Sequence, residues 1–458
     1  MHIMRIREDV LKLTAPIVVE QVLTISLGVV NTILASNIGK EAVSAIGMVD
    51  AINNVFIAFF SSLAVGGTVV VAQYTGHNDI KDANKASGQA MSSSIIISLA
   101  VTLLMWVFRY PIINGLYSSA EQSVLSQSYI YFEITLLTYP LICITLTACG
   151  LLRGAGDTKT PMKVNIIMNI INIFLSYILI YGINIRFLNF RIPGLNVEGA
   201  ALGIALTRVI GSIMIMLVLL KGSKIIKLKG PHMLKVDLNM QKMIFNVGIP
   251  SGLESLVFNG GKLITQIFIV YMGTAAIAAN YIANSITTLI NIPGAALSIA
   301  ATTLVGQNMG RGDPKNAEDL MVYLTKLSSA CLLVVCFLSI PLTRAFCLLY
   351  TRSEDVLKMA VNITRQWDIV TPALWSIAFV LPAGLKGAGD ATYTLVTSFI
   401  GMWIFRITLG YILGIPFKLG VAGIWIGMYV DWAVRGILYW ARLKKGKWKN
   451  NVVIDIHA

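Results

Sequence analysis

The sequence predicts an all-α polytopic membrane protein whose twelve transmembrane helices form two parallel six-helix bundles related by a pseudo-twofold axis. Three observations support this prediction. Only 13% of the 458 residues are charged and 56% are hydrophobic, whereas soluble domains carry about 25% charged residues. Twelve segments are long and apolar enough to cross a bilayer, and the second half of the chain repeats motifs of the first. These observations exclude an ordinary soluble protein.

The predicted spans are the apolar segments that approach or exceed roughly 20 residues, the length needed to cross the hydrocarbon core. In the first half they are 14–38, 50–74, 90–113, 129–151, 162–183 and 197–220. In the second half they are 243–272, 278–306, 322–343, 361–384, 393–415 and 420–441. We divide the chain into an N-lobe (1–225), a linker (226–242), a C-lobe (243–443) and a basic tail (444–458). Because the number of spans is even, both termini lie on the same side of the membrane.

The formal net charge of +14 is distributed unevenly along the chain. Lysine and arginine concentrate at the N-terminus, in the segment 222–242 and in the tail from Arg442 to Lys449. Basic loops stay on the cytoplasmic side, so we predict a multi-pass protein of the cell (plasma) membrane with both termini cytoplasmic. The basic runs are interpreted as topogenic and lipid-facing, and no nucleic-acid partner is expected.

Four segments of the first half recur in the second half at a nearly constant offset in residue number. The pairs that share one offset are Pro16–Glu20 with Pro250–Glu254, Val71–Asp79 with Val305–Asp313, and Tyr177–Leu179 with Tyr411–Leu413; Leu152–Asp157 returns as Leu385–Asp390 at an offset shorter by one. Since each half has six spans, both halves cross the membrane in the same orientation. Parallel repeats of this kind occur in transporters. The glycines of the Leu152–Asp157 motif indicate a tight turn rather than a phosphate-binding loop, because no strand precedes them.

Reactive residues show no pattern typical of an enzyme or a structural metal site. The five cysteines lie in or beside predicted spans without CxxC or Cys/His spacing, and the four histidines lie in termini or loops. GxSxG and HExxH motifs are also missing. We therefore expect no catalytic activity and no cofactor.

Polar side chains inside spans are costly in lipid and mark functional sites. One face of the first span carries Glu20, Thr24, Gly28 and Asn31; its counterpart in span seven carries Glu254, Phe258, Lys262 and Thr265; one face of span five carries Asn165, Asn169, Asn172 and Ser176. A carboxylate on such a face can hold a proton or a sodium ion. Glu20 and Glu254 are the candidate ion-coupling residues, and the alternative for each is a packing residue with internal hydrogen bonds or a side chain that reaches headgroup water.

Other polar residues are candidates for a substrate cavity. These are Lys262, Asn259, Thr24, Asn169, Ser176, Gln73 and Gln307. For Lys262 the favoured alternative is an ion pair with Glu254. For Gln73 and Gln307 it is hydrogen bonding between helices. Asp431 and Arg435 have the i, i+4 spacing of a helical ion pair, and Asp368 is interpreted as a residue near a span start, where the helix N-terminus favours a carboxylate.

These features together resemble the multidrug and toxic compound extrusion (MATE) family, in its bacterial type, over essentially the whole chain. The most specific segments are Pro16–Asp50, the two Leu-Arg/Lys-Gly-Ala-Gly-Asp motifs and Ala301–Gly310. The resemblance implies a V-shaped pair of six-helix bundles with alternating access. It also implies export of small organic, mostly cationic amphipathic compounds in exchange for inward Na⁺ or H⁺, with no other metal ion.

The resemblance further implies a cation site in the N-lobe. The family commonly uses an aspartate in span one and an asparagine and an aspartate in span five, and these positions correspond here to Asn31, Asn172 and Ser176. Only Asn172 keeps the family's residue type. We assign Asn31 and Asn172, with Glu20 and Glu254, to the ion-coupling set, and Trp375 takes the place of a carboxylate that many relatives have in span ten.

Two other functions are weighed against an antiporter, which we expect to act as a monomer in the bilayer. A flippase for a lipid-linked sugar or related amphiphile needs several basic residues in its cleft, and the sequence offers chiefly Lys262, with Arg406 as a second candidate. A non-transporting scaffold or receptor gives no reason for a repeat that keeps intramembrane glutamates.

Overall fold

The computed structural model describes residues 2–117, 121–185, 190–223, 225–229 and 235–454, and helices dominate these ranges. Ten helices are long and apolar enough to span a membrane, and two bent helix pairs pass the same test. Counting each bent pair as one span gives twelve, which is the predicted number. The all-α fold class is therefore confirmed.

The first half contains seven helices and one hairpin within the described ranges. The helices are α1 (His2–Ser36), α2 (Lys40–Gly76), α3 (Ile80–Tyr117), α4 (Gln122–Leu136), α5 (Tyr139–Gly154), α6 (Lys159–Tyr181) and α7 (Asn196–Lys221). Strands β1 (Gly182–Ile185) and β2 (Phe190–Pro193) pair antiparallel, with Gly182 opposite Pro193. The hairpin follows α6 directly and was not predicted.

The second half repeats this order without a hairpin in the described ranges. Its helices are α8 (Leu238–Val270), α9 (Thr274–Ile290), α10 (Ile292–Gly310), α11 (Pro314–Leu348), α12 (Glu354–Gly387), α13 (Ala391–Phe399), α14 (Thr408–Gly414) and α15 (Gly420–Lys445). A π-helical segment, Ile400–Ile407, joins α13 to α14, and a short 3₁₀ helix, Lys447–Asn450, follows α15.

Two spans are bent, and they are not equivalent in the repeat. The fourth span bends by 48° between α4 and α5, and the eighth by 54° between α9 and α10. Each second segment has a proline in its first turn, namely Pro140 in α5 and Pro293 in α10. Proline lacks an N–H group and favours a helix start, which explains why a new helix begins at these points.

The repeated glycine motif forms the same turn in both halves. Gly156 and Gly389 have φ values of 83° and 98°, a left-handed conformation that favours glycine. The amide of Asp157 donates to the carbonyl of Leu152 at 2.8 Å, and the amide of Asp390 donates to that of Leu385 at 2.9 Å. The predicted tight turn is confirmed, and each turn places a basic residue in the last turn of a helix.

The π-helical segment lies where the repeat offset changes. The offset between Tyr177 and Tyr411 is longer by one than the offset between Leu152 and Leu385, so the second half has one extra residue between these points. The segment Ile400–Ile407 lies inside this interval. A π-helix holds more residues per turn than an α-helix, and such segments are frequent at functional sites. The extra residue is thus accommodated inside the helix.

The chain divides into two compact units. The larger unit comprises Met1–Val18, Ala72–Asp79 and Phe245–Ala458, and the smaller unit comprises Val19–Val71 and Ile80–Ile244. Inside the larger unit the C-terminal ends of α2 and α10 cross. A Cβ atom on Gly76 would lie 1.9 Å from the carbonyl oxygen of Gln307, and one on Gly310 would lie 1.9 Å from that of Gln73. Glycine is required here because the two backbones touch.

The basic tail packs on the larger unit as far as Ile454. Trp448 is fully buried, and its indole donates to the carbonyl of Leu443 at 3.1 Å. Lys449 forms an ion pair with Glu318 of α11 at 2.6 Å. This part of the tail is therefore a docked segment rather than a lipid-facing extension.

Candidate functional site

In the smaller unit, the carboxylate of Glu20 connects three helices. Its Oε1 accepts a hydrogen bond from the Arg153 guanidinium at 3.0 Å and one from the Asn165 amide at 2.8 Å. Its Oε2 is buried and has no hydrogen-bond partner among the described residues. Glu20 is only 7% exposed. The polar faces predicted on the first and fifth spans therefore meet at Glu20.

In the larger unit, Glu254 occupies the repeat-related position with a fuller set of partners. Its Oε2 accepts from the Lys386 ammonium at 3.2 Å and from the Thr394 hydroxyl at 3.0 Å. Its Oε1 accepts from the Ser398 hydroxyl at 2.9 Å. Both oxygens are engaged, so this carboxylate is neutralised inside its own unit.

The basic partners of the two glutamates are also repeat-related. Arg153 and Lys386 hold the same position in the two Leu-Arg/Lys-Gly-Ala-Gly-Asp turns, and Asn165 and Ser398 are separated by the same offset as these two basic residues. We name each arrangement a carboxylate latch: Glu20, Arg153 and Asn165 in the smaller unit, and Glu254, Lys386, Thr394 and Ser398 in the larger unit. Ion coupling at these glutamates stays a prediction.

The remaining candidates of the first half show a graded burial. Thr24 is exposed, and its hydroxyl donates to the Glu20 carbonyl at 2.9 Å. Asn31 has a buried Oδ1 without a partner among the described residues. Asn172 and Ser176 are each 2% exposed; the Asn172 amide donates to the hydroxyl of Thr207 in α7 at 3.4 Å. Asn169 is half-buried.

The two glutamines at the helix crossing are more buried than side chains that line an open cavity. Gln73 has no exposed surface. Its amide donates to the Gly387 carbonyl at 3.1 Å, and its Oε1 accepts from the Val453 amide at 2.9 Å. This is the interhelical role that we weighed as the alternative. Gln307 is half-buried at the same crossing.

The predicted ion pair between Lys262 and Glu254 is wrong. Glu254 pairs with Lys386 instead, and the Lys262 ammonium lies 4.8 Å from the ring centre of Phe258. The reason is the repeated turn, which brings Lys386 to the carboxylate from another helix. Asn259, the neighbouring candidate, donates to the Ser255 carbonyl within its own helix at 2.8 Å.

Two arginines approach the same Phe258 ring, an arrangement that was not predicted from the sequence. The guanidinium carbons of Arg406 and Arg435 lie 5.7 and 5.4 Å from its centre. Arg435 also forms the predicted i, i+4 pair with Asp431, with contacts of 2.7 and 3.1 Å. That prediction is confirmed. We name Lys262, Arg406, Arg435 and Phe258 the basic cluster.

The environment of Asp368 also differs from the prediction. Helix α12 starts at Glu354, so Asp368 lies about four turns inside it and the interpretation as a residue near a span start is wrong. It is 2% exposed. Its Oδ2 accepts from Thr343 at 3.4 Å. Among the described residues, its Oδ1 has no hydrogen-bond partner and no lysine or arginine forms an ion pair with it.

Comparison with known proteins identifies the family. The MatE family model matches residues 16–178 and 250–412, which together exceed half of the chain. The chain belongs to the MatE family. The second matched stretch follows the first at the offset that relates Glu20 to Glu254, which supports the internal repeat in this MatE transporter.

Individual relatives agree over nearly the whole chain. The MatE transporter is 28% identical to the uncharacterized transporter YisQ of Bacillus subtilis, over 95% of this chain and 94% of that protein. It is 26% identical to the probable multidrug resistance protein NorM of Thermotoga maritima, over 98% and 94%. An outward-facing structure of a multidrug resistance MATE transporter is similar in fold, with a TM-score of 0.88 at 21% identity over 96% and 97% of the two chains. The resemblance to the MATE family is confirmed.

The sequence contained a signal for some of the site residues that were not predicted. The basic partner of each glutamate was visible in the repeat, because Arg153 and Lys386 are offset almost as Glu20 and Glu254 are. The basic cluster had no such signal. It combines residues from three segments distant in sequence, and the π-helical segment changes which side chains face inward.

Proposed function

We propose that this MatE transporter is a secondary active exporter of organic compounds that exchanges them for inward H⁺ or Na⁺ by alternating access. Three findings support the proposal: the family, relatives named as multidrug resistance proteins, and carboxylates buried in spans. The basic linker and tail support an orientation with both termini on the cytoplasmic side of the cell membrane. The protein acts as a monomer and needs no cofactor beyond the coupling ion.

Coupling by a proton is best supported by Asp368. Three other buried carboxylates, those of Glu20, Asp390 and Asp431, and the half-buried Glu254 are each paired with a lysine or arginine. The buried Asp157 sits in a loop turn and accepts hydrogen bonds from Thr160 and Ser223 on both of its oxygens. Leaving a buried carboxylate charged without a cationic partner costs several kcal/mol. Asp368 therefore exchanges protons with less rearrangement than the latch glutamates, which must first lose a bonded cation. This unpaired carboxylate is the observation that carries the coupling proposal.

The latch glutamates contribute in a different way. A proton or sodium ion that reaches Glu20 competes with Arg153 for the same carboxylate, and the unpartnered Oε2 offers a first contact. Neutralising Glu20 would release Arg153 and thereby loosen the turn after α5. In this proposal Glu20 senses the coupling ion and Asp368 carries it.

Flux through proteoliposomes tests this function. The intact protein is reconstituted, and efflux of a cationic dye, ethidium, and of an anionic dye, 8-anilinonaphthalene-1-sulfonate, is measured with imposed H⁺ or Na⁺ gradients. We expect gradient-driven movement of at least one dye. We expect Asp368→Asn to reduce H⁺-driven flux about tenfold or more, because asparagine cannot carry a proton.

Asp355→Asn is the matched control, since Asp355 is an exposed aspartate in the first turn of the same helix. It should transport like the wild type. Full H⁺-driven transport by Asp368→Asn would refute the proton assignment. Transport that is insensitive to both gradients would refute antiport itself.

A flippase for a lipid-linked sugar or related amphiphile is the second candidate. It gains support from the basic cluster, because two arginines join Lys262 where the sequence alone indicated chiefly one lysine. Translocation of a fluorescent lipid-linked diphosphate across vesicles, without any ion gradient, would favour this candidate over the exporter.

A further inference from the structure

The basic cluster is a concentration of positive charge inside the spans of the larger unit. Three cationic groups lie between 4.8 and 5.7 Å from the centre of one phenyl ring, that of Phe258. Lys262 is exposed on α8, whereas the Arg406 side chain is nine-tenths buried. The cluster therefore has an accessible side and a buried side.

The acidic groups nearby do not balance this charge. Asp431 has no exposed surface and is held by two hydrogen bonds from Arg435. Arg406 reaches the same carboxylate only at 4.0 Å, and its buried Nε has no partner among the described residues. Lys262 forms no ion pair in the described ranges, because Glu254 is engaged by Lys386. Two positive charges, those of Lys262 and Arg406, remain in surplus.

The phenyl ring cannot compensate for the surplus. A cation–π contact is weak beside the cost of desolvating a buried charge. Lys262 and Arg406 carry like charges and repel each other, and burial adds a desolvation cost for the Arg406 guanidinium. The unfavourable terms exceed the ring contacts. An anion that binds between the two cations would reverse this balance.

The local backbone is shaped to hold the cluster. Gly401, in the π-helical segment, lies so close to Asp431 that a Cβ atom would be 2.2 Å from its carboxylate. Gly261, beside Lys262, leaves similar room for Met402. Asn172 occupies the position of Arg406 in the first half, at the offset that relates Glu20 to Glu254. The single extra residue and the change to arginine thus distinguish the second half.

Aromatic side chains continue from the cluster on one side. The Phe258 ring meets that of Phe379 edge to face at 6.1 Å, and Phe379 stacks on Trp375 at 4.8 Å. Arg435 lies 5.0 Å from the Phe379 ring centre. Trp375 is buried, whereas Phe258 and Phe379 are half-buried. A ligand with an anionic end and an apolar body would contact the cations and the accessible parts of these two rings.

We propose that Lys262 and Arg406 bind the phosphate group of an amphiphilic organic phosphate whose apolar part lies on the adjoining aromatic rings. A phosphate monoester carries about −1.5 to −2 charges at neutral pH, which matches the surplus of two cations better than a carboxylate does. The phosphate belongs either to a membrane lipid or to a free phosphorylated compound. Calling this ligand a transported substrate rests on the proposed function, but the binding site does not.

Calorimetric titration of the intact protein in phosphatidylcholine nanodiscs tests the site, with empty nanodiscs as the blank. The probes are dodecyl phosphate, dodecyltrimethylammonium of the same chain length, and inorganic phosphate. We expect dodecyl phosphate to bind at least tenfold more tightly than the cationic probe. Lys262→Gln and Arg406→Gln should each weaken its binding about tenfold or more, because each loses a charged hydrogen bond.

Two variants keep this test decisive. Lys326→Gln, which removes an exposed lysine within α11 of the same unit, should bind dodecyl phosphate like the wild type. Lys262 is exposed, so Lys262→Gln is expected to fold even where Arg406→Gln does not, and Lys262→Arg should retain most of the affinity. Equal binding of both dodecyl probes, or wild-type affinity in Lys262→Gln, would overturn the proposal.

The source of the phosphate follows from competition. Weaker dodecyl phosphate binding in nanodiscs that contain phosphatidic acid, a lipid with a phosphate monoester, identifies a membrane lipid as the occupant, whereas competition by inorganic phosphate alone identifies a free compound. Either result supports the phosphate site. Because binding is measured without an ion gradient, failure of antiport in proteoliposomes would leave this result unchanged, and the two proposals fail separately.

Discussion

The two carboxylate latches use the same parts, but only the latch of the larger unit is complete. Glu254 has a partner for each oxygen, from Lys386, Thr394 and Ser398, whereas Glu20 leaves one buried oxygen without a partner among the described residues. The shared geometry shows that the repeat preserves a contact between the first helix of each half and the glycine turn. The difference indicates that the first latch is the more easily opened of the two.

The halves differ more strongly beyond the latches. The first half has a regular helix with a neutral Asn172, and the second has a π-helical segment with Arg406 beside Asp431 and Arg435. The two halves thus share the glycine turns and differ in the side chains between them. The following predictions test this contrast between the halves.

The largest effect is expected for Asp431→Asn. Removing this carboxylate leaves Arg435, 2% exposed, without a counterion and takes away the acid that lies 4.0 Å from Arg406. Breaking a buried ion pair in this way costs about 3–5 kcal/mol. The midpoint of thermal unfolding in detergent should fall well below that of Asp355→Asn, the exposed control. An unchanged midpoint would show that solvent or lipid already neutralises the second half's charge.

The helix crossing should respond equally to both of its repeat-related glycines. Gly76→Ala and Gly310→Ala each place a methyl group against backbone that is 1.9 Å away. Overpacking of this kind costs about 1–3 kcal/mol. We expect matched losses in thermal stability, with Gly312→Ala as a control whose added methyl meets no atom within 4 Å although its φ of 72° adds strain. Unequal losses from the two helix variants would show that the crossing is not symmetric in energy.

The two carboxylate latches should differ in how much each contributes to stability. Glu254→Gln disrupts three contacts and leaves Lys386 unpaired, at an expected cost of about 2–3 kcal/mol. Glu20→Gln likewise leaves Arg153 unpaired, but it disrupts only two contacts and replaces an oxygen that has no partner among the described residues, so about 1–2 kcal/mol is expected. Denaturation midpoints of the two variants, measured in the same detergent, give the order directly. A larger loss for Glu20→Gln would reverse our view of which latch is complete.

These contrasts also mark the limit of prediction from sequence. The twelve spans, the glycine turn and the Asp431–Arg435 pair follow from local properties, namely hydropathy, backbone conformation and helical spacing. The repeat follows from comparing the two halves of the sequence, which needs no tertiary structure. The position of Asp368 within its helix was predicted wrongly, and Arg406 was given too small a role. Their environment depends on where α12 begins and on an inserted residue within a helix, and neither changes the local hydrophobic pattern. The pairing of Lys386 with Glu254 could have been predicted by combining the turn motif with the repeat.

The segments after the last helix of each half provide the smallest contrast. The linker is tied to α3 by an ion pair between Asp237 and Lys85, and the tail is tied to α11 by Lys449 and Glu318. The carboxylate belongs to the linker in the first pair and to α11 in the second. The Lys85 ammonium, followed by the amides of Met240 and Asn239, holds the pKa of Asp237 below its usual value.

A lowered pKa means that the linker contact contributes fully above the unfolded-state value of about 3.9 and is lost as the pH falls through the lower folded-state value. The contact is partly exposed, so its contribution is below about 1 kcal/mol. We expect pepsin to cleave the linker faster at pH 2 than at pH 4, relative to its cleavage of other loops. Asp237→Asn keeps the cap on α8 but not the ion pair. Pepsin should therefore cleave the linker of this variant at pH 4 as fast as it cleaves that of the wild type at pH 2. If the variant showed the wild-type pH dependence, the attachment would rest on the hydrogen bonds of Gln89 to the linker backbone instead of on charge.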